Sequence, residues 1–173
     1  MINMKKILTL LVALSLFSVK SNAQDVLNEI LRTSDIIIND TTKSLNTRKV
    51  ALFKFDAMTY LRSKILPPVV MLDKKANADT LNAKIRFLNE QAYAMSVYIS
   101  VYQKRMNEAK EKNRYLVTSL FKQATYDHKL FNDTDTEYVM SYYDNKECPI
   151  QFCLDCDWVK TLAFIRSIDW SKI

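Results

Sequence analysis

The chain has 173 residues and a formal net charge of +6, with no glycine, three prolines, three cysteines and one histidine. P-loop and dinucleotide folds need a close backbone approach to phosphate that only glycine permits, so nucleotide enzymes of those classes are excluded. Tight hairpins also rely on glycine for positive backbone angles, which turns the expectation from sheet toward long helices joined by short polar turns.

Met1 to Ala23 reads as a signal peptide. Lys5 and Lys6 precede an apolar run from Ile7 to Val19, and Ser21-Asn22-Ala23 offers small residues ahead of Gln24. That run is about 13 residues, short of the roughly 20 that span a bilayer, so the expectation is cleavage between Ala23 and Gln24. Residues 24–173 would then form a single helical domain, secreted or periplasmic, with no transmembrane span and, lacking a cysteine at the cleavage site, no lipid anchor. Without the leader 22 basic and 19 acidic residues remain, a net of +3, which weakens any case for nucleic acid. Gln24 to Tyr126 carries a balance of +7 and Asp127 to Ile173 one of −4. Either the acidic end folds back on basic helices, or a basic face is left open for an anionic partner.

The first helix is expected from Asp25 to about Leu45, with Leu27, Ile30, Leu31, Ser34, Ile37, Ile38, Thr41 and Leu45 on one face. Asn46-Thr47 offers a cap or a soft break; without a break, the first two helices become one rod and the molecule a long helical hairpin. The second helix places Val50, Phe53, Ala57, Tyr60, Leu61 and Ile65 inward and ends at Leu66-Pro67-Pro68, because proline disfavours helical geometry at the preceding residue.

After the polar stretch at Asp73-Lys74-Lys75, Asn77 or Asp79 can cap the central helix. Leu81, Ile85, Leu88, Ala92, Met95, Ile99, Tyr102, Met106 and Ala109 recur at alternating steps of four and three, which defines a seam facing a partner helix. Phe87, Ala94, Val97 and Val101, with Tyr98 beside them, widen the stripe, so this helix should touch two neighbours. Asn113 falls where the next core residue should stand, among charged residues, so the helix either turns or continues as a solvated section. Leu116, Leu120 and Ala124 resume a stripe and make Tyr115 to about Lys129 helical.

Asp133, Asp135, Glu137 and Asp144 fall at positions 1, 3, 5 and 12 of an EF-hand-like loop, yet the position that needs glycine is Tyr138 and the last ligand is not glutamate. Thr134 and Glu137 instead match a capping box for a short helix through Val139 and Tyr142. Cys148, Cys153 and Cys156 follow. In an exported chain they read as one disulfide plus one free thiol, or as buried cysteines. A Cys148–Cys156 bridge would contribute roughly 2 to 3 kcal/mol on a chain-entropy estimate. A zinc site would need a fourth ligand, and His128 lies 20 residues upstream of Cys148. Cys153-Leu154-Asp155-Cys156 also has the spacing of a redox pair, without the βαβ unit that carries one. Asp127 could orient His128 for acid/base work, or His128 could simply end a helix. The last helix, about Asp155 to Trp170, places Trp158, Leu162, Ile165 and Asp169 on one face, with Asp155 or Asp157 as cap.

Leu130-Phe131-Asn132-Asp133, Ser141-Tyr142-Tyr143, Gln151-Phe152 and Leu154-Asp155-Cys156-Asp157-Trp158-Val159-Lys160, in that order, resemble the C-terminal part of uncharacterised secreted helical proteins from Gram-negative gut-type bacteria. The resemblance implies export and brings no activity, cofactor or catalytic residue. Asp40-Thr41-Thr42 and Asp79-Thr80-Leu81 resemble bacterial O-glycosylation sites. The expected molecule is an all-α, mainly antiparallel bundle, or a long helical hairpin with a short C-terminal helix. No catalytic or metal site and no cofactor are expected. The expected role is non-enzymatic, binding or structural, with another envelope protein as partner; a chaperone-like binder of extended chains and a peripheral membrane-surface binder are the alternatives.

Overall fold

The computed structural model describes residues 26–68, 70, 77–141 and 143–172. The expected signal peptide and the polar stretch at Asp73-Lys74-Lys75 lie outside them. Among the described residues the chain is all-α, with no strand. Helices α1 (Val26–Asn39), α2 (Leu45–Ile65), α3 (Ala78–Glu108), α4 (Glu111–Asp127) and α5 (Trp158–Ser167) pack as a bundle; a π-helical turn (Glu137–Ser141) and a 3-10 turn (Trp170–Lys172) complete it.

Helix α3 is the hub, packed against each of the other four α-helices. Along its seam Leu88, Ala92, Met95, Ile99 and Tyr102 are buried, while Leu81, Ile85, Met106 and Ala109 are half-buried against the same core. The second row adds Ala94 and Tyr98, the latter with no exposed surface. Its N-terminus is capped by Asn77, whose Oδ1 accepts from the Asp79 amide at 2.8 Å.

The first two helices are a hairpin, not a single rod. The break falls at Asp40–Ser44, earlier than Asn46, because two short polar side chains there satisfy local amides. Asp40 accepts from the Thr42 amide at 2.9 Å, and Ser44 caps α2 by accepting from Thr47 at 3.2 Å. Leu45 is left exposed at the turn, and α2 ends at Ile65, as Pro67 requires. The central rod likewise turns at Ala109–Lys110, ahead of Asn113, with the Ala109 amide donating back to Arg105 at 2.9 Å. That turn resets the helical phase: α4 buries Val117, Phe121, Ala124 and Thr125, so of the expected stripe Ala124 is buried, Leu120 half-buried and Leu116 exposed.

Between α4 and α5 the chain is irregular, yet much of it runs through the core. Ile150 and every residue from Phe152 to Trp158 are buried. Non-helical backbone inside a core must find partners for its amides. Here Cys153 donates to the Thr125 hydroxyl (3.0 Å), Leu154 to the Val139 carbonyl (3.2 Å), Asp157 to the His128 carbonyl (2.8 Å) and Trp158 to the Gln91 side chain (2.7 Å). Phe152 fills the centre, its ring 5.9 Å from Phe53, 5.2 Å from Tyr98 and 5.1 Å from Tyr102, mostly edge-on, the arrangement aromatic quadrupoles favour.

The acidic C-terminal part does fold back on the basic helices. Asp133 pairs with Lys64 of α2 at 2.7 Å, Asp144 pairs with Lys122 of α4 at 2.5 Å, and Lys49 of α2 donates to the Glu147 carbonyl at 3.0 Å. The last two tie the start of the 144–151 segment to α4 and α2 and so shape the site described next.

Candidate functional site

Two cavities lie side by side along α3. The first, about 410 Å³, is walled by Ile30, Thr33, Ser34 and Ile37 of α1, by Asn46, Thr47, Val50, Ala51 and Lys54 of α2, and by Ser96 and Gln103 of α3. The second, about 550 Å³, is walled by Tyr102, Met106 and Asn107 of α3, Thr118 of α4 and, from the irregular chain, Lys146, Cys148, Pro149, Ile150 and Gln151. Val50, Gln103 and Pro149 line both, so the two adjoin there as one groove.

The chemistry of the walls is uniform. Aliphatic patches alternate with hydroxyls and side-chain amides, each cavity holds one lysine, Lys54 or Lys146, and no aspartate or glutamate lines either. Burial lowers the Lys54 ammonium below the usual lysine range. A lysine reaches this position because α2 continues its inward row through it: Val50, Lys54, Met58 and Leu61 follow one another at helical steps.

The residues singled out in the sequence are dispersed. Cys148 is half-buried and lines the second cavity, beside Lys146. Cys153 and Cys156 are buried free thiols, the Sγ of Cys156 lying 3.1 Å from the Thr161 hydroxyl. Burial pushes Cys153 up to about 11 and Cys156 well above the usual thiol range, so neither is a ready thiolate. His128 ends α4: its Nδ1 is 2.9 Å from the Ala124 carbonyl and its ring packs on Phe164 at 5.4 Å. Asp127 does not orient it, since Gln123 donates to that carboxylate at 2.8 Å.

Asp133 and Asp135 are occupied in building the fold. Asp135 accepts from the Tyr138 amide at 2.9 Å and so caps the π-helical turn; the expected Thr134–Glu137 box is replaced by this one-residue shift. Asp133 accepts from Lys64, from the Tyr60 hydroxyl at 3.0 Å and from the Asp135 amide at 3.1 Å. A 560 Å³ cleft lined by Asp56, Asp135 and Glu137 with Tyr138 and Tyr143 has two of its three carboxylates so engaged, Asp56 accepting from the Tyr143 hydroxyl. Among the described residues no group of three or more His, Cys, Asp or Glu is placed to hold a metal ion, and no helix is long and apolar enough to cross a membrane.

Compared with known proteins, the chain matches no family model, no curated protein and no solved structure.

Proposed function

We propose that this chain is a non-enzymatic binding module of the cell envelope that holds an extended segment of another protein in the groove along α3. The observation that carries this reading is the groove itself, with aliphatic patches and side-chain amides running through both cavities. From Ser96 to Asn107 the helix advances on the order of 16 Å at 1.5 Å per residue, the length of about five residues of extended chain at 3.3 Å each. Asn46, Gln103 and Asn107 each present a donor and an acceptor, the pair that an unpaired peptide backbone needs, while Gln151 spends a donor on the Asn145 carbonyl at 3.2 Å. Ile37 and Val50, half-buried at the groove and backed by the buried Ile30 and Ile150, offer apolar contact to side chains of such a strand. Placement in the envelope is supported by the leader-like sequence from Met1 to Ala23.

The test uses two fluorescein-labelled heptapeptides, one alternating Leu with Asp and one alternating Leu with Asn, each in a second version carrying a photo-reactive phenylalanine. Binding, with cross-links on α3 between Ser96 and Asn107 and loss of both in Gln103→Trp, is expected. The exposed Gln103 faces both cavities, so the indole fills the groove without entering the core. Cross-links elsewhere, or unchanged binding in a folded Gln103→Trp variant, would overturn the reading.

A further inference from the structure

Resting on that reading, we infer that the groove selects acidic segments, with Lys54 and Lys146 as the carboxylate-recognising residues, one in each cavity. Four lysines of the described chain hold their own acids, Lys64 with Asp133, Lys104 with Glu108, Lys122 with Asp144 and Lys160 with Asp157; of those that do not, Lys54 and Lys146 are the two that line the groove. Among the described residues Lys54 and Lys146 have no acidic partner, and no carboxylate lines the walls around them. Lys54 is also held among Ile30, Val50 and Ala51, where its ammonium loses hydration; an incoming carboxylate supplies what the burial takes away.

The same walls favour a peptide over a fatty-acid carboxylate. An acyl chain would cover the side chains of Asn46, Gln103 and Asn107 without pairing them, which is unfavourable, whereas an extended acidic segment pairs the amides through its backbone and the ammoniums through its side chains. The two lysines lie in adjoining cavities, so a segment with carboxylates a few residues apart meets both.

The measurement is fluorescence anisotropy of the two labelled heptapeptides at low and raised sodium chloride, with unlabelled dodecanoate as competitor. The Asp peptide is expected to bind about tenfold more tightly than the Asn peptide at low salt, a gap that narrows as salt screens the charges. Lys54→Met and Lys146→Met should each remove about fivefold of the Asp peptide's affinity and so narrow its lead over the Asn peptide measured on the same variant. Because Lys146 is exposed, its variant reports even if Lys54→Met perturbs folding. Equal binding of the two peptides would overturn the acid preference and leave the groove reading standing; binding of neither would overturn both. Dodecanoate binding that depends on Lys54, with no preference for the Asp peptide, would also overturn the inference.

Discussion

The carboxylate of Asp155 closes on the backbone on both sides of Asn132. Its Oδ1 accepts from the amides of Leu130 (3.1 Å) and Phe131 (2.8 Å), its Oδ2 from that of Asp133 (2.8 Å), and Asn132 turns the chain between them with φ of 53°. Three amides converging on one anion form a nest, here filled by the protein's own side chain, which has no exposed surface. Asparagine tolerates the left-handed conformation better than most residues, so a glycine-free chain can still make the turn.

Asp155→Asn should therefore destabilise the fold by about 3 kcal/mol, because the new amide group cannot accept at both positions and leaves buried donors unpaired. Urea unfolding followed by circular dichroism reads this as a lower midpoint at similar slope. A loss below about 1 kcal/mol would remove the nest from its structural role.

Stability at acid pH should depend on Asp133. The Lys64 ammonium, the Asp135 amide and the Tyr60 hydroxyl hold its carboxyl at about 2, below the ordinary 3.8. As pH falls from about 4 to about 2, the unfolded chain takes up this proton before the folded one, so the stabilisation present above that window is lost within it. In Asp133→Asn, unfolding curves at stepped pH should show the acid limb between pH 4 and 2 flattened relative to the parent. Lys64→Met should do the same, since it removes the largest of the three effects.

In the core, Phe152→Ala should cost about 4 kcal/mol, the transfer energy of the ring plus the cavity it leaves among Phe53, Tyr98 and Tyr102. Tyr98→Phe is milder. It deletes one buried hydrogen bond, from the hydroxyl to the Phe121 carbonyl at 2.7 Å, and should cost about 1 kcal/mol. Chemical denaturation of the two variants should keep this order; a reversal would mean the rings are not packed as described.

Cys153 and Cys156 should be silent toward thiol reagents in the native protein, being buried and raised above the usual thiol range. In a Cys148→Ser variant at pH 8, colour release from Ellman's reagent should follow global unfolding and accelerate with urea. A fast native phase would show that the segment from Phe152 to Trp158 opens locally.

What was legible in the sequence is what repeats. The α3 seam from Leu88 to Tyr102 is buried, and Pro67 stops α2, because both depend on local geometry that the residue order specifies directly. Boundaries were less legible where several polar residues competed. Ser44 and Asn46 are both plausible caps, and the choice fell to the residue whose hydroxyl meets the Thr47 amide. On α4 the stripe holds at Ala124 and fails at Leu116, because the turn at Ala109 breaks the phase carried from α3, which a periodic reading cannot see. Neither the nest nor the groove has a local signature: Asp155 lies more than 20 residues from the amides it holds, and the groove exists only once the Pro149 segment folds over α3. One trace was present, the lysine at position 54 interrupting an otherwise apolar row.

A backbone without glycine has few places where it can flex cheaply, and the walls that α2 and α3 give the groove are successive turns of continuous α-helix. A visiting strand would thus find a mould already set and would surrender its own freedom without asking the host to rearrange. The ordering cost then falls on the visitor alone, and a stiffened visitor should hold on longer than a floppy one of the same composition.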